Sequence, residues 1–362
     1  MILFFIVTFF LLITTCIVVY NFFSAPSLAN KPTSDSPFIS VLIAARNEEK
    51  NISQCLENIQ KQTYNNFEVL VLDDESTDGT SKIVEQHHLK DKRINLLSGE
   101  PLPENWKGKN WACHQLSQKA KGDKFLFIDA DVRISPDTLS KAVSTLNLYR
   151  CSLLTIFPTQ IISSFGEFFI VPLMNWLLLT FLPLKLVYKS SIVSFTAANG
   201  QFMLWEKDIY KKIGGHKTIG DKVVEDMELA RLVKKNSGKV LTVLGDSDVF
   251  CRMYTSFMEG FNGFSKNFFP GFNIHPILFL LFISFLFLLY ISPVLLFFVQ
   301  DDFIIPLVII FVQRLLISLK SRQRILSNVI LHPFQIFVML ITGINSVISI
   351  SKNKLFWKGR RL

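Results

Sequence analysis

Two aspartates separated by one residue, Asp129 and Asp131, follow the short apolar run Lys124–Ile128. Carboxylate oxygens are ligands that Mg²⁺ and Mn²⁺ prefer, and a diphosphate can complete the coordination of either ion. Most Asp-x-Asp sequences are solvated loop acids, so the pattern alone is a weak indicator. Its place at the end of a predicted strand favours a metal site, because a turn there lets both side chains converge.

Polar segments also follow two earlier apolar runs. Segment 46–49 reads RNEE and segment 73–80 reads DDESTDGT. Helix capping is the alternative for both, since Asn, Ser and Thr cap helices and acids favour helix N-termini. For 46–49 alone, capping is the better interpretation. Lys109 follows a glycine at a predicted helix start, where it can meet a phosphate, although an exposed surface lysine is the commoner case.

The elements that position these groups alternate along the chain. Apolar runs at 38–43, 67–72, 94–97 and 124–128 predict strands, and helical spacing predicts helices at 48–62, 77–87 and 111–121. This alternation predicts a mainly parallel sheet covered on both faces. Ligands bind such sheets beyond the carboxyl ends of the strands. The polar segments lie at three of those ends, which favours a shared site.

Residues 1–23 are uncharged and long enough to span a membrane. A secretory signal is the alternative, because Ser27-Leu28-Ala29 resembles a cleavage site. The basic n-region of a signal is missing, so we expect a retained N-terminal anchor. Residues 24–37 are rich in Pro and Ser and predict a linker.

The apolar segment 168–188 is interrupted by prolines, and we expect an interfacial helix there. Apolar runs at 277–299, 303–318 and 329–350 predict a C-terminal transmembrane region over 276–350. Three late spans after a cytosolic domain would put the basic tail 351–362 outside, although basic segments favour the inside. One late segment is therefore expected to be re-entrant or interfacial, and the polar residues of 329–350 make it the candidate.

The formal net charge is +9, with 38 Lys+Arg against 29 Asp+Glu. A basic balance fits nucleic acid, anionic lipid or a phosphorylated substrate. The excess of Lys and Arg is better explained by the positive-inside rule, which places basic residues on the cytosolic side of a membrane. We therefore expect no nucleic-acid partner. The five cysteines form no CxxC pair, which argues against a disulfide framework and a zinc site.

Taken in chain order, five segments resemble family 2 glycosyltransferases with the A-type fold: 43–49, 73–80, Gly108-Lys109, 129–131 and Glu225-Asp226. The resemblance spans about residues 38–270. It implies an α/β fold, a Rossmann-like catalytic domain with a mainly parallel sheet. An N-terminal membrane anchor and C-terminal transmembrane helices would flank that domain.

The resemblance also implies the donor site. Nucleotide-sugar contacts are expected at six residues: Ala44, Arg46, Glu48, Asp73, Lys109 and Asp129. Asp73 would contact the base, and Lys109 would approach the diphosphate. Asp129 would meet the ribose or the metal, and Asp131 would bind the metal, which is Mg²⁺ or Mn²⁺.

On the acceptor side, Asn199-Gly200-Gln201 resembles the acceptor loop of the family and Asp226 its general base. Transfer to a hydroxyl needs a carboxylate that takes the proton, which supports Asp226 independently. Direct displacement with one base would invert the anomeric centre. The alternative for Glu225 and Asp226 is that they only favour the N-terminus of a helix.

The arrangement of anchor, motifs and late spans resembles the branch that glycosylates carotenoid acids such as diaponeurosporenoate, or hopanoid-type lipids. It implies transfer of a hexose from a UDP-sugar, or second a GDP-sugar, to a membrane lipid at the cytosolic face of the cell membrane. The Gln-x-x-Arg-Trp pattern of processive synthases is absent. Two alternatives stay open: a polyprenyl-phosphate glycosyltransferase and a non-catalytic, nucleotide-binding membrane scaffold.

Overall fold

The computed structural model describes residues 1–31, 35–352, 356–357 and 360–361, the last two pairs as backbone only. The chain divides into two compact units. The apolar-helix unit comprises Met1–Ala25, Gln160–Lys185 and the described residues from Arg252 onward. The α/β unit comprises Pro26–Thr159 and Leu186–Cys251.

Helices and strands are numbered here in chain order through the described residues. The helices are α1 Ile2–Ser24, α2 Ile52–Gln60, α3 Thr80–Lys90, α4 Gly108–Lys119, α5 Thr138–Tyr149, α6 Pro172–Phe181, α7 Leu184–Lys189, α8 Lys207–Lys212, α9 Glu225–Lys235, α10 Phe257–Phe272, α11 Pro276–Leu296, α12 Ile304–Lys320, α13 Ile325–Ile330 and α14 His332–Ser351. The strands are β1 Ile39–Ala45, β2 Phe67–Asp73, β3 Ile94–Ser98, β4 Lys124–Ile128, β5 Val132–Ile134, β6 Leu153–Phe157, β7 Thr159–Gln160, β8 Phe202–Glu206, β9 Val240–Leu244, β10 Val249–Cys251, β11 Phe356–Trp357 and β12 Arg360–Arg361.

The main sheet of the α/β unit has seven strands in the order β3-β2-β1-β4-β8-β6-β9. Pairing is parallel except where β8 lies antiparallel between β4 and β6. The five residues of β4 are buried, as expected for a strand covered on both faces. The predicted α/β fold with a mainly parallel sheet is confirmed.

The strand register explains how separate segments reach one edge of the sheet. Ala45 at the end of β1 pairs with Asp73 at the end of β2, so the two following loops start side by side. Ile128 at the end of β4 pairs with Phe202 at the start of β8. Because β8 runs the opposite way, the residues just before it lie beside those just after β4.

The predicted helices of this unit form, with later starts than expected for two of them. Helix α2 begins at Ile52 rather than at residue 48, and α3 begins at Thr80 rather than at 77. The reason is tertiary: the Glu48 and Glu49 amides donate to Thr80 Oγ1 at 2.8 Å and to Asp78 Oδ2 at 3.1 Å. These bonds hold both segments as loops.

Four helical segments of the apolar-helix unit are long and apolar enough to cross a membrane: Ile2–Ser24, Pro276–Leu296, Asp301–Lys320 and His332–Ser351. Segment 168–188 instead forms two short helices, α6 and α7, separated at Leu182-Pro183. The side chain of Asn21 in α1 stabilises this break. Its Nδ2 donates to the Leu179 and Leu182 carbonyls at 2.8 Å, and its Oδ1 accepts from the Leu184 backbone amide at 2.9 Å.

Helices α12 and α14 run in the same direction. Helix α12 is antiparallel to α11, because only residues 297–303 connect them and the Tyr290 hydroxyl of α11 donates to Gln313 Oε1 of α12 at 3.0 Å. Helix α14 is also antiparallel to α11, since contacts join Tyr290 to His332, Phe287 to Phe337 and Ile283 to Gly343. The chain therefore returns between Lys320 and His332, and the six-residue α13 makes most of that return. We expected the segment 329–350 itself to turn back, but the shorter segment α13 does so instead. Of the tail 351–362, residues 353–355, 358–359 and 362 lie outside the described residues.

Candidate active site

The loops after β1 and β2 are bonded to each other. Arg46 donates to the Asp74 carbonyl and lies 3.6 Å from Glu75. Asn47 has a positive φ of 52°, and its amide donates to Ser76 Oγ at 3.0 Å. The Asp73 carboxylate accepts from the Ser76 amide at 3.1 Å. These bonds fix the side chains expected to contact the nucleotide.

Lys109, on the first turn of α4, bridges two acids from different elements. Its Nζ lies 2.8 Å from Asp129 Oδ1, after β4, and 2.9 Å from Glu225 Oε1, at the start of α9. Burial disfavours the charged amine, but the negative charges of Asp129 and Glu225 outweigh burial and hold the pKa of Lys109 well above its usual value. Lys109 is therefore a fixed cation at the carboxyl edge of the sheet.

Asp131 stands next to this pair without a cation of its own among the described residues. Its Oδ1 atom is buried and has no hydrogen-bond partner there. Burial raises the pKa of Asp131 to about 7, and the charges of Asp129 and Glu48 act in the same direction. No group of three or more His, Cys, Asp or Glu side chains within the described part of the chain is arranged to hold a metal. The orphaned oxygen beside Asp129 fits a hard divalent cation that takes its other ligands from phosphate or water.

Asp226 is held from two sides. Its Oδ2 accepts from the Gly200 amide at 2.9 Å, and its Oδ1 accepts from the Met227 amide at 2.7 Å. Burial raises the pKa of Asp226 to about 7, and the negative charge of Glu225 raises it further. A carboxylate with a pKa near neutrality is suited to accept a proton at physiological pH.

The loop before β8 brings these groups together. Asn199 donates to Thr155 Oγ1 at 2.9 Å, and the Asp129 amide donates to the Gln201 carbonyl at 3.2 Å. At Gly200 a Cβ atom would lie 3.1 Å from Glu225 Oε1 and 3.3 Å from Lys109 Nζ. Only a residue without a side chain leaves the ion pair undisturbed at this position.

The residues of this edge match a known family. Residues 40–206 match the family model described as Glycosyl transferase family 2. The chain carries a family 2 glycosyltransferase domain. The match contains the donor-side segments and ends before Glu225 and Asp226.

Curated proteins similar to this chain include the 4,4'-diaponeurosporenoate glycosyltransferases of Staphylococcus haemolyticus and Staphylococcus aureus. The first is 25% identical over 239 residues, covering 63% of this chain and 60% of the relative. The second is 29% identical over 235 residues, covering 63% and 59%. The glycosyltransferase AglE of Haloferax volcanii is 33% identical over 117 residues, 32% of this chain and 37% of that protein. The chain thus spans less than two thirds of these relatives.

The mannosyltransferase PcManGT of Pyrobaculum calidifontis, solved in complex with GDP-Man and Mn²⁺, has a similar fold. The superposition has a TM-score of 0.55 at 14% identity and covers 95% of this chain and 99% of that one. The expected A-type glycosyltransferase fold is confirmed.

Five of the predicted site residues come together. Ala44, Lys109, Asp129 and Gly200 line one pocket, and Asp226 bonds to Gly200 at its side. Arg46 and Asp73 instead form hydrogen bonds close to the ends of β1 and β2: Arg46 donates to the Asp74 carbonyl, and the Asp73 carboxylate accepts from the Ser76 amide and the Ser81 hydroxyl.

The polar pocket residues that sequence reasoning did not assign to the site include His216, and Glu225 as a partner of Lys109. The His216 ring is buried, pairs with the Tyr210 hydroxyl at 2.7 Å, and has its pKa lowered to about 3 by burial. The His216 ring therefore lines the pocket in its neutral form. The adjacent Gly214 and Gly215, both with positive φ, are the sequence signal that marks this turn.

Proposed function

We propose that this protein is an inverting glycosyltransferase that moves a hexose from a nucleotide-sugar, a UDP-sugar in the first place, to a membrane lipid such as a carotenoid acid or a hopanoid. The observation that carries the proposal is the convergence of Asp129, Asp131, Lys109 and Asp226 at one edge of the sheet. The names of the staphylococcal relatives support a carotenoid acid as the acceptor.

On the donor side, Asp129 and Asp131 would hold Mg²⁺ or Mn²⁺ against the diphosphate. The metal, when bound, neutralises charge that develops on the leaving nucleotide diphosphate. Lys109 supplies a second, permanent positive charge within the same pocket. The bonded loops that carry Arg46 and Asp73 form the side of the site suited to the nucleoside.

On the acceptor side, Asp226 would take the proton of an acceptor hydroxyl. The acceptor oxygen then bonds to the anomeric carbon, the bond from that carbon to the diphosphate oxygen breaks, and the nucleotide diphosphate leaves. One displacement inverts the anomeric centre. A carboxylate acceptor arrives already ionised, so Asp226 would then matter less for rate.

For location, we propose a multi-pass protein of the inner cell membrane with the α/β unit in the cytosol, where nucleotide-sugars are available. The parallel course of α12 and α14 supports this arrangement. It puts the basic loop 320–324 and the end of α14 on the same side of a membrane, as the positive-inside rule requires.

The test is transfer from UDP-hexose to extracted lipids by the full-length protein in membranes, with and without Mn²⁺. Asp131→Asn should abolish metal-dependent transfer, and Asp226→Asn should retain donor binding but lower transfer to a hydroxyl by at least about 100-fold. Glu85→Gln, at an exposed position of α3, is the matched charge control. Full activity of Asp131→Asn would refute the metal assignment. A protein that binds UDP with Mn²⁺ by calorimetry but transfers no hexose to any of the lipids would favour the non-catalytic, nucleotide-binding scaffold.

A further inference from the structure

A buried arginine in the apolar-helix unit has no acidic partner among the residues that the structure describes. Arg314 of α12 is 1% exposed, and no carboxylate of the described residues lies within ion-pair distance of it. Its Nε donates to the Asn328 carbonyl at 3.1 Å, and its Nη2 donates to Gln335 Oε1 at 2.5 Å. Its Nη1 has no hydrogen-bond partner among the described residues. A buried guanidinium held only by neutral acceptors keeps an uncompensated charge.

Two further buried side chains near it are unsatisfied. His332, at the start of α14, is 2% exposed, and neither of its ring nitrogens has a hydrogen-bond partner in the described chain. Trp176 of α6 is fully buried, and its indole N–H is likewise unpartnered. Buried polar groups in native proteins are nearly always satisfied, so several in one place call for a missing partner.

These side chains form one cluster. The Trp176 and His332 rings are 5.9 Å apart, and both contact the Tyr290 ring, at 5.0 and 5.5 Å. Arg314 joins the cluster through Gln335, which lies one helical turn after His332 on the same face of α14. We call Arg314, His332 and Trp176 the donor cluster.

The chemistry of the donor cluster selects an anion. Arg314 Nη1 and the indole of Trp176 donate only, and a histidine donates from one nitrogen when neutral and from both when protonated. An oxyanion accepts several such bonds at once and also neutralises the guanidinium. A water molecule would satisfy some of the donors but would leave the positive charge of the Arg314 guanidinium without a counter-charge.

The surroundings select a lipid as the carrier of that anion. Arg314 and His332 belong to segments that are long and apolar enough to span a membrane. Ile330 and Phe334, two positions before and after His332, are 60% and 59% exposed. The donor cluster thus lies one residue layer beneath a face suited to acyl chains, where a soluble anion is excluded and a lipid is not.

We propose that the donor cluster binds the anionic head group, a carboxylate or a phosphate monoester, of a membrane lipid. The site goes beyond the proposed transfer reaction and does not depend on it. The lipid can serve as acceptor or as a permanently bound structural lipid, since the same donors recognise both.

The test is thermal unfolding of the full-length protein in a neutral detergent, titrated with phosphatidate, oleate or inorganic phosphate, and with phosphatidylcholine as the neutral lipid. We expect phosphatidate or oleate to raise the unfolding temperature saturably, and inorganic phosphate and phosphatidylcholine to have no such effect. Arg314→Gln should weaken binding of the anionic lipid by at least about tenfold, because the substitution removes a charge-assisted hydrogen bond and the positive charge itself. Arg322→Gln makes the same charge change at an exposed position and should bind as the wild type does.

A second variant keeps the proposal open to refutation if Arg314→Gln does not fold. His332→Phe preserves the ring contacts with Trp176 and Tyr290 and removes both nitrogens, and it too should weaken binding. Equal lipid affinity of His332→Phe and the wild type would overturn the proposal. So would equal stabilisation by inorganic phosphate, which would identify a soluble anion, or the absence of any anion effect, which would leave water as the partner.

Discussion

The bridge from Lys109 to Glu225 makes a quantitative prediction about coupling. The two side chains are 2.9 Å apart and expose 26% and 13% of their surface, so the pair lies between a surface and a buried ion pair. Exposed pairs contribute about 0–1 kcal/mol, and breaking a buried pair costs about 3–5 kcal/mol. We expect Lys109→Gln and Glu225→Gln each to lower the free energy of unfolding by about 2 kcal/mol, midway between these limits.

The double variant separates a real interaction from two independent effects. Once either partner is removed, the attraction between the two is already lost, and only the contact of Lys109 with Asp129 remains to be lost. The double variant should therefore lose only about 2.5 kcal/mol, a coupling of about 1.5 kcal/mol. Thermal unfolding in detergent measures it, at about 2–4 °C per kcal/mol for a domain of this size. Lys119→Gln, at an exposed position of the same helix, is the control and should have no effect.

The result that would refute this reasoning is additivity. If the coupling between Lys109 and Glu225 is below about 0.5 kcal/mol, the bridge does not stabilise the site. Donor binding provides a second readout. Lys109→Gln should weaken UDP binding by about tenfold through loss of a charge near the diphosphate, whereas Glu225→Gln leaves that charge in place.

Four further outcomes are expected. Gly200→Ala should lower kcat/KM about tenfold, since its Cβ would lie 3.1 Å from Glu225 Oε1 and shift the ion pair; unchanged kcat/KM would exclude the close approach. Transfer to a hydroxyl should rise with pH through about 7 as Asp226 ionises, and a pH-independent rate would argue against a base there. The pKa of Asp226 is raised in the folded state, first by burial and then by the charge of Glu225. The free energy of unfolding therefore falls as pH rises from about 4 to 7, because the folded protein holds this proton more tightly than the unfolded chain does. Asp226→Asn should be at least as stable as the wild type at pH 8. Asn21→Leu should cost about 2 kcal/mol by leaving the Leu184 amide unpaired, which thermal unfolding would detect and a wild-type midpoint would refute.

Strands β1, β2, β3 and β4 were predictable because their signal is local. Strand β4 spans Lys124–Ile128 as its apolar run indicated, since a strand covered on both faces needs a continuous buried run. The starts of α2 and α3 were not predictable, because side-chain bonds between two loops decide where each helix begins. Helix propensity does not encode such a bond.

The candidate site shows the same division. Asp129 and Asp131 are recognisable from their place after a strand. The contact of Lys109 with Glu225 is not, because helix α4 and the start of α9 meet only through the order of strands in the sheet. The short return by α13 also escapes sequence reasoning. It depends on Asn328 satisfying Arg314 and Ser318 from a six-residue helix, and a hydropathy pattern records no such contacts.

The balance of charge at the carboxyl edge gives the strongest physical reason for a metal. Lys109 pairs with Asp129 and Glu225, while Asp131 and Asp226 have no ion-pair partner in the described part of the chain. Burial raises the pKa of both unpaired acids to about 7, so near neutral pH each is partly protonated in the free protein. A divalent cation beside Asp131 would hold that carboxylate ionised. Together with Lys109 it would balance the negative charges of Asp129, Asp131 and Glu225, so that a diphosphate would no longer meet a net negative site. Asp226 would remain the group free to exchange a proton. On this argument metal and donor bind cooperatively, and UDP should bind at least about tenfold more weakly without Mn²⁺ than with it.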